Sequence, residues 1–114
     1  MTDQETAQKF AGILQDAILE IDPTINFHWR RMFGGAGYYA NGRMFAGWFR
    51  GDSIALKLPE EGCEALLHLE GARVTSKHYV EVPQSFLTDS PLLAEWAGKS
   101  IAYVHSLPVN KKRR

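Results

Sequence analysis

Arg31-Met32-Phe33-Gly34-Gly35-Ala36-Gly37-Tyr38-Tyr39-Ala40-Asn41-Gly42-Arg43-Met44-Phe45-Ala46-Gly47-Trp48-Phe49 alternates as strand, turn, strand and sets the centre of a sheet. Asn41-Gly42 between two aromatic runs is a strong hairpin signal, because a type I′ turn needs positive φ at both central residues and these two types supply it at least cost. Upstream, Ile25, Phe27, Trp29, Arg31 and Phe33 alternate with Asn26, His28, Arg30 and Met32, which predicts a first strand over about residues 25–33. Gly34-Gly35-Ala36-Gly37 then interrupts the pattern, so a bulge, a bend or a close backbone approach is expected there, before hairpin strands near 37–40 and 43–49.

Outward from this centre, Ile54, Leu56 and Leu58 oppose Ala55 and Lys57 in a further strand. The intervening Arg50-Gly51-Asp52 is a turn, not an adhesion motif. Val74 to Pro83 is extended, with Val80 and Val82 facing away from Tyr79 and Glu81. Three helices flank these strands. Thr2 or Asp3 caps the first, whose stripe is Phe10, Ile13, Leu14, Ala17, Ile18 and Ile21, and Asp22-Pro23 ends it. Pro59-Glu60-Glu61 opens a short second helix with Cys63, Leu66 and Leu67 at core spacing. Asp89-Ser90-Pro91 opens the last, with Leu93, Trp96, Ala97, Ser100, Ile101, Val104 and Leu107 as its stripe. The expected fold is α+β, a two-layer domain with an antiparallel meander sheet and helices packed on one face.

The chain has 114 residues, enough for one domain over residues 1–107 followed by a basic tail at 108–114. No run reaches the ~20 apolar residues of a membrane helix, and Met1-Thr2-Asp3-Gln4-Glu5 has no signal-peptide character, so a cytoplasmic protein without membrane attachment is expected. Without Lys111, Lys112, Arg113 and Arg114, 9 Lys+Arg stand against 13 Asp+Glu, a charge of −4. Between Asp22 and Asp52 there is no acid, whereas His28, Arg30, Arg31, Arg43 and Arg50 lie there. The central strands are therefore the positive part of the fold.

The block Arg31-Met32-Phe33-Gly34-Gly35, then Gly37-Tyr38-Tyr39, the Asn41-Gly42 turn, Met44-Phe45-Ala46, Leu56-Lys57-Leu58, Tyr79-Val80-Glu81-Val82-Pro83 and Leu93-Ala94-Glu95-Trp96-Ala97 resembles the TfoX N-terminal domain family in order and spacing, from about Ile13 to Val104. The resemblance implies an antiparallel α+β fold, a homodimer, and a link to TfoX/Sxy regulators of bacterial natural competence, which act on transcription in concert with a cyclic-AMP receptor protein. Full-length regulators carry a second, helical C-terminal domain; the resemblance is to the N-terminal one. It supplies no catalytic residues.

Gly35-Ala36-Gly37-Tyr38-Tyr39-Ala40 fits a loose dinucleotide fingerprint, but a hairpin follows where a phosphate site needs a helix, so Gly34, Gly35, Gly37, Asn41 and Gly42 are read as structural. His28, His68, His78 and His105 form no local metal motif, and Cys63 reads as an inert core thiol. Tyr79 and Glu81 share a strand face, as a stacking ring beside a solvated carboxylate. No metal, cofactor or catalytic set is assigned. Strict alternation puts Phe45 with Phe49 and Met44 with Trp48, leaving aromatics on a face that three helices do not cover. Met44, Trp48, Tyr38 and Tyr39 are the candidate interaction surface. The expected function is a non-enzymatic regulatory or protein-interaction domain, a homodimer with a protein partner such as the transcription machinery. The alternative is direct, non-specific nucleic-acid binding, DNA included, through Arg30, Arg31, Arg43, Arg50, Lys111, Lys112, Arg113 and Arg114. A small-molecule enzyme ranks last.

Overall fold

A computed structural model describes residues 2–76 and 78–108; the basic tail Lys111 to Arg114 lies outside them. Helix α1 spans Asp3–Ile21. Thr2 is its cap: the hydroxyl accepts the Glu5 N–H, and the Glu5 carboxylate accepts the Thr2 N–H, a reciprocal box that satisfies two end donors. Strands β1 (Phe27–Met32), β2 (Gly35–Ala40), β3 (Arg43–Trp48) and β4 (Ala55–Lys57) follow as a meander. Helix α2 (Glu60–Leu67) leads to β5 (Arg73–Ser76) and β6 (Tyr79–Glu81), and α3 (Ser90–Ser106) closes the domain after a 3₁₀ turn at Gln84–Thr88. Asp89 caps α3 by accepting the Leu92 N–H at 3.1 Å.

The sheet order is β1-β2-β3-β4-β6-β5, antiparallel throughout. β5 lands on the edge after α2, and β6 returns between it and β4, so the meander is broken once. Two two-residue hairpins share β2, with their turns at its opposite ends. Asn41-Gly42 has φ of 50° and 85°, as the sequence predicts, and Phe33-Gly34 repeats it with 49° and 80°. The glycines from Gly35 to Gly37 are therefore not an interruption but the start of β2.

A second departure comes from a bulge in β3. Tyr38 pairs with Ala46 while Tyr39 pairs with Met44, so Phe45 is an extra residue. One added residue reverses face assignments beyond it. Phe45 and Trp48 both enter the core, and Phe49 shares the opposite face with Met44.

The helix layer is tied to one sheet face by buried polar bonds as well as by apolar packing. Tyr38 donates its hydroxyl to the Ala7 carbonyl of α1 at 2.8 Å, and Ser100 of α3 donates to the Phe45 carbonyl at 2.6 Å. Phe10, Leu14 and Ile18 of α1, Ile54, Leu56 and Leu58, Leu66 of α2, Val80 and Val82, and Leu93 and Val104 of α3 complete the core. Ile21 and Leu67, both expected inside, are exposed. No helix among the described residues is long and apolar enough to cross a membrane.

Candidate functional site

Strand alternation puts Arg30 opposite Arg31 and Arg43 opposite Arg50, so at most half of the four can share a cationic surface, and the structure divides them further. Arg31 donates to the Gly35 carbonyl at 2.9 Å and to the Gln4 side chain at 3.3 Å. Arg50 pairs with Asp3 of α1 and donates to the Gly34 carbonyl. Arg43 donates to the Val104 and Leu107 carbonyls at 2.6 and 2.8 Å, where the α3 C-terminus carries partial negative charge. Only Arg30 of the four points away from the helices, its guanidinium 5.4 Å from the Tyr39 ring centre.

The expected interaction surface divides too. Tyr39 and Met44 do lie on the face without helices. Tyr38 and Trp48 do not: Tyr38 is fully buried, and Trp48 is 4% exposed against Phe10, its indole N–H donating to the Gly51 carbonyl. The reason is the β3 bulge for Trp48 and the strand parity of β2 for Tyr38. Burial pushes the Tyr38 phenol well above its ordinary range, as its role as a donor to α1 requires.

The open face is instead built from residues that period-two counting scattered. His28 stacks on Tyr39 at 4.8 Å, Phe49 meets Tyr79 edge-on at 5.1 Å, and the Lys57 ammonium lies 5.9 Å from the Tyr79 ring centre. Burial, with the Tyr39 phenol nearby, pushes the Tyr79 pKa up to about 12. Glu81 engages Arg73 at 3.0 Å, so Tyr79 and Glu81 serve different partners although they share a face. The glycines make this face. The Phe49 ring lies over Gly47, and the Met32 and Met44 methyls close over Gly37.

Two clefts flank this face. One, of about 360 Å³, runs from Met44, Lys57 and Tyr79 to the end of α3 at Val104 and Leu107. The other, of about 330 Å³, holds Ser53, Arg73, Glu81 and Gln84. In the second cleft the buried Ser53 hydroxyl makes no hydrogen bond to a described residue, while Glu81 is engaged by Arg73. Cys63 donates its thiol to the Leu58 carbonyl at 3.4 Å, and burial pushes its pKa up, so it is held as the neutral thiol. His68 and His105 contact backbone carbonyls, and His78 sits in a turn at φ 69°. No group of three or more His, Cys, Asp or Glu among the described residues is placed to hold a metal ion. What the surfaces offer is stacking, hydrogen bonding and charge.

Phe33, expected as the last residue of the first strand, lies instead in the turn after β1. Phe33 is 101% exposed, at the tip of the first hairpin, with a left-handed backbone. The signal was present as an X-Gly pair between alternating strands, but Phe is not a residue that turn preferences flag.

The TfoX N-terminal domain family model matches residues 21–103, which takes in all six strands, α2 and most of α3 and leaves α1 largely outside. No curated protein and no solved structure matches the chain.

Proposed function

The chain belongs to the TfoX N-terminal domain family, and from that premise we propose that this competence or regulatory-type domain works in the cytoplasm by contact with protein, as a homodimer, and not by bond-making. The transcription machinery is the class of downstream partner to which the family points. The observation that carries the reading is Phe33. A non-glycine residue in the left-handed region costs about 1–2 kcal/mol, and a ring wholly in water returns none of it. The equivalent position of the neighbouring turn holds Asn41, which meets the same φ far more cheaply. The fold gains nothing from phenylalanine here, so its benefit lies outside the chain. Burying it in a partner is worth about 1.5–3 kcal/mol, the scale of an interface anchor.

The test is Phe33→Asn. Light scattering during gel filtration is expected to give a dimer for the native chain at micromolar concentration and a monomer for the variant. Diluted until both are monomeric, the variant is expected to melt higher by about 4 °C, the equivalent of ~1 kcal/mol in a domain of this size. A monomeric native chain overturns the homodimer. A variant no more stable than the native chain removes the strain argument.

A further inference from the structure

The six strands carry Arg30, Arg31, Arg43, Lys57 and Arg73 against one acid, Glu81, while α1 holds Asp3, Glu5, Asp16 and Glu20 and α2 holds Glu60, Glu61 and Glu64. The domain is thus acidic on its helix side and basic through its sheet. On the open face Arg73 neutralises Glu81. Among the described residues neither Arg30 nor Lys57 forms an ion pair, and each instead lies over a tyrosine ring. Met44, the partner of Tyr39 in the β2–β3 ladder, lines one cleft together with Lys57 and Tyr79, and Phe49 meets Tyr79 edge-on, so the two cation and ring pairs belong to one stripe.

This arrangement selects among occupants. A second copy placed face to face about a two-fold axis would add Arg30 and Lys57 to their own kind. An acidic peptide would satisfy the charges but brings no flat faces for the rings. A duplex keeps its base faces stacked inside. A single strand offers phosphates to the cations and unstacked bases to the rings, on an antiparallel sheet that leaves one side open.

We propose that the open sheet face binds single-stranded nucleic acid, with bases stacking on Tyr39, Phe49 and Tyr79 and phosphates held by Arg30 and Lys57. This surface is distinct from the Phe33 tip, and it is not the arginine set expected from sequence, since Arg31, Arg43 and Arg50 are turned to the helix side or the turns.

Fluorescence anisotropy with the full chain tests it, using a labelled oligothymidylate of on the order of 10 nucleotides and a duplex of equal length. The single strand is expected to bind more tightly than the duplex. Arg30→Gln and Lys57→Gln should each weaken binding and reduce the slope of log affinity against log salt by about 0.7. Phe49→Leu should weaken it about fivefold or more with the slope unchanged. Lys9→Gln, on the outer side of α1, should change neither. Circular dichroism melts establish that each variant is folded, and the two exposed or half-exposed cation variants keep the test sound should Phe49→Leu lose stability. Absence of binding at low salt, preference for the duplex, equal competition by polyglutamate, or loss of all binding when residues 111–114 are removed would each overturn the proposal.

Discussion

Trp48→Ala is expected to cost about 4 kcal/mol of folding stability, a large share of the ~5–15 kcal/mol that a domain of this kind has. The side chain is 4% exposed and meets Phe10 of α1 edge-on at a ring separation of 6.4 Å. Removing it opens a cavity between α1 and β3 beside the Phe10 ring. It also strands the Gly51 carbonyl, to which the indole N–H donates at 2.9 Å, and that bond holds the turn between β3 and β4. Urea unfolding followed by fluorescence or circular dichroism gives the value. A loss under ~1 kcal/mol would mean that Trp48 is not a core residue, and the face assignment derived from the bulge would fall with it.

Gly35→Ala should cost about 3 kcal/mol, the upper end of the range for overpacking. A methyl group at this position would overlap the Trp48 carbonyl oxygen, and a backbone atom fixed in the sheet cannot rotate away. The neighbouring Gly37 is the control. There the added carbon meets the Met32 and Met44 methyls at 2.8 and 3.2 Å, flexible ends that can move, so Gly37→Ala should cost only about 1 kcal/mol. Equal losses for the two variants would contradict the close approach. The two glycines of the Arg-Met-Phe-Gly-Gly block thus serve different needs. Gly34 supplies a φ of 80° to the turn, whereas Gly35 makes room between strands.

Legibility followed locality. The Thr2 and Asp89 caps, the α1 stripe from Phe10 to Ile18 and the Asn41-Gly42 turn rest on residues within a few positions of one another and are legible in the sequence, whereas Ile21, at the end of the stripe, is exposed. The opposed faces of β4 and β6 are legible too, where strict alternation holds over short strands. The candidate surface was read onto the right strands but partly onto the wrong side. Tyr39 and Met44 lie on the face without helices. Trp48 lies on the other, and nothing local announces that Phe45 is an extra residue in the β2–β3 ladder.

The destinations of the arginines show the same limit over longer distances. Arg43 reaches carbonyls more than sixty residues along the chain, and Arg50 reaches Asp3 at the other end of it. Such partners exist only once the layers have packed, since a long side chain on a sheet margin chooses among groups that the fold brings near. Period-two parity placed Arg30 and Arg31 on opposite sides, but it carried no information about which side the helices would cover.

By itself the amino-acid sequence determined the three helices and the central hairpin, the antiparallel α+β class, the family and the concentration of positive charge in the strands, because capping, periodicity, turn chemistry and composition are properties of neighbouring residues; it did not show that Val74 to Pro83 folds into two strands. The tertiary structure alone decided which aromatics are core and which are surface, which cations are engaged, and that Phe33 stands in water on a strained turn. Those outcomes depend on strand register and layer packing, where a single extra residue in one ladder moves every side chain beyond it to the other face.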